Sequence, residues 1–427
     1  MLTTFAVLDR LRELAIHQPQ IAELLARSPQ EQESRGYFHT LREICQQPST
    51  WISTSRQMCG SISSLRSCVG DITNLVLTGS GSSEYAGHCL HLVLQNELAI
   101  TTQPISAGLV LTHGAKALPP LRPGLMVSFA RSGDSPESEG ALSLLLETQP
   151  EFRHLVLTCN AKGKLAQKFR KHPGVHVIAL DDVTNDRSLV MTSSFTNLVL
   201  AARVIGLLDA TERYEALCRA LSAIAAALIE KYFGTFARIG EMGFKRAVFL
   251  GSGSRVGAAR EAALKMAEMT AGGVTSIWES YLGLRHGPMS CVHRDTLIVC
   301  FLSSDKNLRA YEADLLRELD QKHLRLLKVV VGERVPQNVL REGDVAIECP
   351  GLTEVGDENA PVIDVIAGQL LGFFRCIQDG LRPDSPSRDG VISRVVQSFT
   401  LHLDANGEAG SASGLAPHAQ PTDGENT

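Results

Sequence analysis

The stretch Leu75-Val76-Leu77-Thr78-Gly79-Ser80-Gly81-Ser82-Ser83 decides the fold. An apolar run with no polar alternation ends in a turn of glycine and serine, and a helical pattern follows through Leu94. A strand without alternation is buried on both faces, as in a parallel sheet covered by helices. The same pattern returns 172 residues further on, where Ala247-Val248-Phe249-Leu250-Gly251-Ser252-Gly253-Ser254 puts Gly251 in the place of Gly79. Outward from the first copy lies a second apolar run, Leu125 to Ala130. It ends in Arg131-Ser132-Gly133-Asp134-Ser135-Pro136 and leads into a helical pattern from Ser138 to Glu147. His154 to Thr158 is a third run; Thr296 to Ser303 and Leu327 to Val331 match the second and third in the later copy. Strands joined by helical segments of roughly 10–15 residues predict parallel sheets, and a period this long predicts a duplicated unit.

The expected fold class is therefore α/β, with two tandem open parallel sheets, each flanked by helices in three αβα layers. A helical stretch near Thr196 to Phe233 joins them. At 427 residues the chain is too long for one ordinary core, which agrees with two units of roughly 150–200 residues each. The expected boundaries are a helical segment over 1–50, a first domain over 51–215, a second over 216–400 and a tail over 401–427. In the helical segment we expect Phe5 to Leu25 and then Thr40 to Gln46, the latter opened by a capping box of Thr40 and Glu43. From Ala405 to Thr427 the chain is rich in Gly, Ser, Ala, Pro and acidic residues without apolar period, a composition that predicts disorder.

Bulk composition narrows the function. Apolar residues make up 44% and charged residues 20%, ordinary for a globular protein, and a net charge of −5 offers nothing to nucleic acid or an anionic membrane surface. Asp9, Arg10, Arg12 and Glu13 interrupt the N-terminal apolar periodicity, so no signal peptide is expected. The most apolar run, Ser194 to Ala210, carries polar residues and is not expected to span a bilayer. The ten cysteines include no Cys-x-x-Cys pair, as in a reducing compartment, and we expect a cytoplasmic protein.

In open α/β sheets ligands sit at the carboxyl ends of strands, where helix N-termini favour negative charge. Gly79-Ser80-Gly81-Ser82-Ser83 supplies close backbone approach and hydroxyl donors there, and Ser132 and Ser135 add two more, with Arg131 beside them. The later copy has Leu302-Ser303-Ser304-Asp305 instead, so only the first half reads as an anion cradle. A dinucleotide fingerprint fails because Glu84 and Val256 stand where its third glycine belongs. Walker-A spacing is absent as well. A good helix, Arg260 to Thr270, carries Glu261, Lys265 and Glu268 on one face, a spacing that also fits a solvated ion-pair stripe. Downstream, His286 sits inside Gly283-Leu284-Arg285-His286-Gly287-Pro288, where the backbone turns sharply.

Together with Met191-Thr192-Ser193-Ser194-Phe195-Thr196, these motifs resemble the sugar isomerase (SIS) family over about Trp51 to Thr400. Within it they look most like the AgaS-type tagatose-6-phosphate ketose/aldose isomerases or galactosamine-6-phosphate deaminase/isomerases. The isomerase half of glucosamine-6-phosphate synthase is a more distant relative. The resemblance implies two tandem SIS domains and a sugar phosphate held by Ser82, Ser83, Ser132 and Ser135, with Gly81 in the same turn. Arg131 takes the place of a Gln in the synthase. Glu268 falls on the carboxylate that moves a proton between C1 and C2, and Lys265 on a lysine of the same helix face. His286 falls on the residue that assists ring opening, supplied in the synthase by the neighbouring subunit, which implies a homodimer or higher homo-oligomer. Arg285 stands where the synthase has Lys, and Arg394 lies close to a Lys that engages the open-chain sugar. No metal and no cofactor is expected. A non-catalytic sugar-phosphate-binding regulator is the alternative, and it has no need of Glu268 and His286.

Overall fold

The computed structural model describes residues 4–396 and 400–402, with side chains from 11 onward. Two five-stranded sheets, parallel throughout, carry the chain. The first holds β1 (Asn74–Thr78), β2 (Thr101–Pro104), β3 (Gly124–Ala130), β4 (Phe152–Thr158) and β5 (Val175–Ala179), in the order β2-β1-β3-β4-β5. The second holds β6 (Arg246–Gly251), β7 (Thr275–Ser280), β8 (Thr296–Phe301), β9 (Leu327–Gly332) and β10 (Val345–Glu348), in the order β10-β9-β8-β6-β7. Renumbered within each half, both orders are the same winding, so the chain is a structural as well as a sequence duplication. The tandem α/β expectation is met.

The central strands are the runs found in the sequence: every residue of β1, β3, β8 and β9 is buried. The four edge strands, β2, β5, β7 and β10, are not among the expected runs, because each is at most partly buried and such segments need no unbroken apolar run. Alternate residues of each strand serve different layers. Leu75, Leu77, Val127 and Phe129 join Ala247, Phe249, Val299 and Val331 in one cluster between the sheets. Val76, Met126 and Val156 line the outer layer of the first sheet, and Val248, Leu250 and Ile298 that of the second. The two halves thus share a core, and the boundary expected at 215/216 falls inside the helix Thr211–Gly240.

Three helices at the centre bring the halves together. The helix Arg255–Met269 starts earlier than the Arg260 read from sequence, because the turn after β6 enters it directly. It crosses the helix Ser82–Leu98 at Gly257, where a Cβ would stand 2.6 Å from the backbone nitrogen of Cys89. On its other side lies the helix Pro361–Gln378, which is apolar and long enough to cross a membrane but is 89% buried within the protein. Gly368 lets that helix approach Ala262, which a Cβ there would meet at 2.5 Å.

The N-terminal segment is helical as expected, with two corrections. Its first helix divides at Pro19 into Thr4–His17 and Pro19–Leu25, as a proline at the first helical position favours. The capping box of Thr40 and Glu43 does not form, because the helix Phe38–Cys45 begins before Thr40. Thr40 instead donates its backbone N–H and its hydroxyl to Asp384 Oδ1, each at 2.7 Å. Glu43 accepts from the backbone N–H groups of Arg187 and Ser188. The tail expected to be disordered, Ala405 to Thr427, lies outside the described residues.

Candidate active site

Reversal of strand order at β1 and β3 opens a crevice beyond their carboxyl ends, and both serine turns lie there. Gly79 is required by the turn's tightness, since a Cβ would stand 2.6 Å from the Ser83 carbonyl carbon. Gly81 precedes the helix Ser82–Leu98 at φ +57°, and space is open beside it. Ser82 and Ser83 therefore occupy the first helical positions. The second turn leads through Ser135 into the helix Pro136–Thr148. Two helix N-termini converge on one crevice, the arrangement that suits a phosphate. Ser132 Oγ accepts from the Asp134 N–H at 3.2 Å, and Ser135 Oγ donates to Glu137 Oε2 at 2.7 Å.

The helix of the second half delivers Lys265 and Glu268 to this crevice. Lys265 Nζ is fully buried and lies 3.0 Å from Ser82 Oγ, 2.5 Å from Glu268 Oε2 and 3.2 Å from Glu261 Oε1. One ammonium thus links the first half's serine turn to the carboxylate of the second half. Glu268 keeps 22% of its side chain exposed, whereas Glu261 and Lys265 keep none. The solvated-stripe reading of this helix face is thereby overturned. Burial by itself would favour neutral Lys265, but the carboxylates of Glu261 and Glu268 outweigh it and raise its pKa. Glu261 is pushed up to about 7, chiefly by burial, with Lys265 opposing. The sequence placed Glu261 on the correct face; its burial comes from the helix Ser82–Leu98 packing over it, which spacing does not reveal.

The remaining candidates are arranged differently from one another. Arg131 is buried, and its guanidinium donates to Leu189 O at 2.7 Å and Arg394 O at 2.6 Å. Its pKa is lowered by burial and then by the charge of Arg394. Arg394 in turn donates to Asp186 O at 2.6 Å and Asn185 Oδ1 at 2.8 Å. These two arginines clamp residues 185–189 and the C-terminal segment at the crevice rim, with these hydrogen bonds spent on the protein. Arg285 pairs with Glu318 on the helix Lys306–Lys322 at 2.7 Å. His286 is exposed after the short helix Tyr281–Leu284, with Gly287 at φ +125°, and no contact among the described residues joins its side chain to Glu268 within one chain.

Beside these lie two buried acids, Asp186, which the sequence did not single out, and Glu43, which it offered only as a helix cap. Asp186 accepts from the N–H groups of Thr192, Ser193 and Ser194 at 2.7, 3.1 and 2.9 Å. The serine-rich start of the helix Ser193–Arg203 is thus satisfied by the chain itself. Glu43, bonded to Ser188, is raised by burial and then by the nearby charge of Asp186. The partners of Glu43 are distant in sequence, so no local spacing announces its burial.

The geometry can be set beside known proteins. The D-galactosamine-6-phosphate deaminase AgaS of a Shewanella species is 34% identical over 378 residues, covering 86% of this chain and 92% of that protein. The chain belongs to the AgaS family. The AgaS of Streptomyces coelicolor is 36% identical over 372 residues, covering 85% of this chain and 95% of its own. A crystal structure of the tagatose-6-phosphate ketose/aldose isomerase of Escherichia coli superposes on this AgaS-family chain with a TM-score of 0.75 at 30% identity. It covers 83% of this chain and 95% of that one. The C-terminal domain of a glucosamine-fructose-6-phosphate aminotransferase of Francisella tularensis, 18% identical, shares the fold with a TM-score of 0.68 over 82% of this chain and 98% of that one. No family model matches the chain. As an AgaS relative built on two tandem SIS domains, it is an enzyme of the phosphosugar isomerase and deaminase class.

Proposed function

We propose that this chain converts a hexose or hexosamine 6-phosphate, such as tagatose-6-phosphate or galactosamine-6-phosphate, by a 1,2-proton shift. The observation that carries this reading is Lys265 Nζ, shared between Ser82 of the anion cradle and Glu268 of the other half. The phosphate rests on Ser82, Ser83, Ser132 and Ser135 at the two helix N-termini, each charge-assisted bond contributing about 1.5–3 kcal/mol. Held at that end, the sugar's first two carbons are positioned over Glu268. From a ketose such as tagatose-6-phosphate the carboxylate of Glu268 takes a proton from C1 and returns it to C2; from an aldose it takes the proton from C2 and returns it to C1, moving the carbonyl from C1 to C2. With an amino sugar the same shift gives a C2 imine, which water hydrolyses to release ammonia and the ketose phosphate. Lys265 remains protonated and offsets negative charge on the enediol or enolamine oxygen. His286 opens the sugar ring, and its exposure, with no contact to Glu268 within one chain among the described residues, supports its entering from a partner subunit in a homodimer.

The test is incubation with galactosamine-6-phosphate, glucosamine-6-phosphate and tagatose-6-phosphate in turn, following ammonia and the interconverted sugar phosphate. Release of ammonia with the amino sugars assigns deamination, and interconversion without ammonia assigns isomerisation. Binding of all three with turnover of none would leave the regulator reading standing. The cradle makes its own prediction. In the double variant Ser82→Ala, Ser132→Ala, two donors are lost from the phosphate, and KM should rise by about tenfold or more while kcat changes less. An unchanged KM places the phosphate elsewhere.

A further inference from the structure

The second sheet has the same reversal of strand order, at β6 and β8, and the chain itself fills the crevice beyond it. After the helix Leu352–Val355, Gly356 adopts φ +82° and turns Asp357 into that crevice. The Asp357 carboxylate accepts from the Ser303 hydroxyl through Oδ2 and from the Ser304 N–H at 2.9 Å through Oδ1. Ser303 and Ser304 follow β8 as Ser132 and its neighbours follow β3. Arg255 brings a fully buried guanidinium to 3.6 Å from the same carboxylate. Its other bonds run to Asp364 at 2.7 and 2.6 Å and to the carbonyls of Leu302 and Val331.

A hydroxyl, a backbone N–H in the turn leading to a helix and a buried cation are donors a phosphate would receive at such a place. Glu312, fully buried, holds the turn by accepting from the Ser303 N–H at 2.7 Å. The Ser304 hydroxyl is buried and unpartnered. The Ser304 hydroxyl is thus a donor that the Asp357 carboxylate does not use. Asp357 is 21% exposed, so the place is in reach of solvent.

We propose that the second half is an anion site whose resident anion is the Asp357 carboxylate, and that removing this side chain turns it into a site for inorganic phosphate or sulfate. The duplication then carries one crevice open to a ligand and one closed from within, and the difference rests on a single side chain delivered by a glycine turn.

The probe is inorganic phosphate, read by thermal unfolding against sodium chloride of equal ionic strength. The background is Ser82→Ala, Ser132→Ala, which weakens the first cradle. With Asp357→Ala added, the midpoint should drop without phosphate and recover with it, by an amount growing with the logarithm of phosphate concentration. With Asp357 retained, phosphate should give no more than chloride does. Should Asp357→Ala yield no folded protein in either buffer, Asp357→Ser, whose shorter side chain also vacates the place of the carboxylate, must show the same phosphate response. Equal phosphate responses with and without Asp357, or none in both variants, overturn the proposal. Because the readout is anion binding and not turnover, this outcome is independent of whether the sugar-phosphate assay succeeds.

Discussion

Glu268→Gln is expected to lower kcat by about a thousandfold or more while affinity for a sugar phosphate stays within about threefold. General acid–base catalysis contributes about 10²–10⁴-fold, and a proton carried between two carbons has no other route once the base is gone. Glutamine retains an oxygen that accepts from Lys265, which sits 2.5 Å from Glu268 Oε2, so the helix should keep its place. The loss then reports chemistry and not collapse. Calorimetric titration with the substrate, alongside steady-state rates, separates the two. A variant with full turnover would remove Glu268 from the mechanism, and one that no longer binds would make it a structural or binding residue.

Arg255→Met should give the largest loss of stability. The guanidinium and its partner Asp364 are both fully buried, and removing one member of such a pair typically costs about 3–5 kcal/mol. The loss should depend on pH in a defined direction. Asp364 is held at about 6, raised by burial with Arg255 opposing, against 3.8 in the unfolded chain. A carboxyl raised on folding keeps a proton that the unfolded chain sheds, so stability falls as pH rises from about 4 through the folded value. Without Arg255 the opposing influence is gone and the folded value climbs further. The variant should therefore lose more than the parent above pH 6, and the gap should be wider at pH 8 than at pH 5. Urea unfolding midpoints at both pH values give the comparison. A deficit of equal size at both would mean that lost packing, and not the stranded charge of Asp364, sets the cost.

The division between what is legible in a chain and what is not follows from how each signal arises. Buried central strands such as Leu125 to Ala130 announce themselves because burial on both faces demands unbroken apolar residues. The glycine–serine turns after them are equally plain, since Gly79 is imposed by the turn and the serines lie within a few residues of it. The partially exposed edges β2 and β7 carry no such demand and pass unnoticed. Thr40 and Glu43 show the opposite error. A spacing that suits a cap was present, yet Asp384 and Ser188, remote in sequence, claimed both side chains.

For the site, residue types and spacing alone determined the duplicated α/β architecture, the two serine turns and the helix face bearing Lys265 and Glu268. All of these are local patterns with short physical range. Tertiary structure decided that Lys265 reaches Ser82 across the halves, that Glu261 is buried beside it, and that Arg131 and Arg394 clamp backbone at the rim. It also decided that one crevice is open while Asp357 fills the other. Hydrogen bonds and burial join groups by distance in space, and residues such as Ser82 and Lys265, far apart along the chain, become neighbours only once the two sheets have packed on their common core.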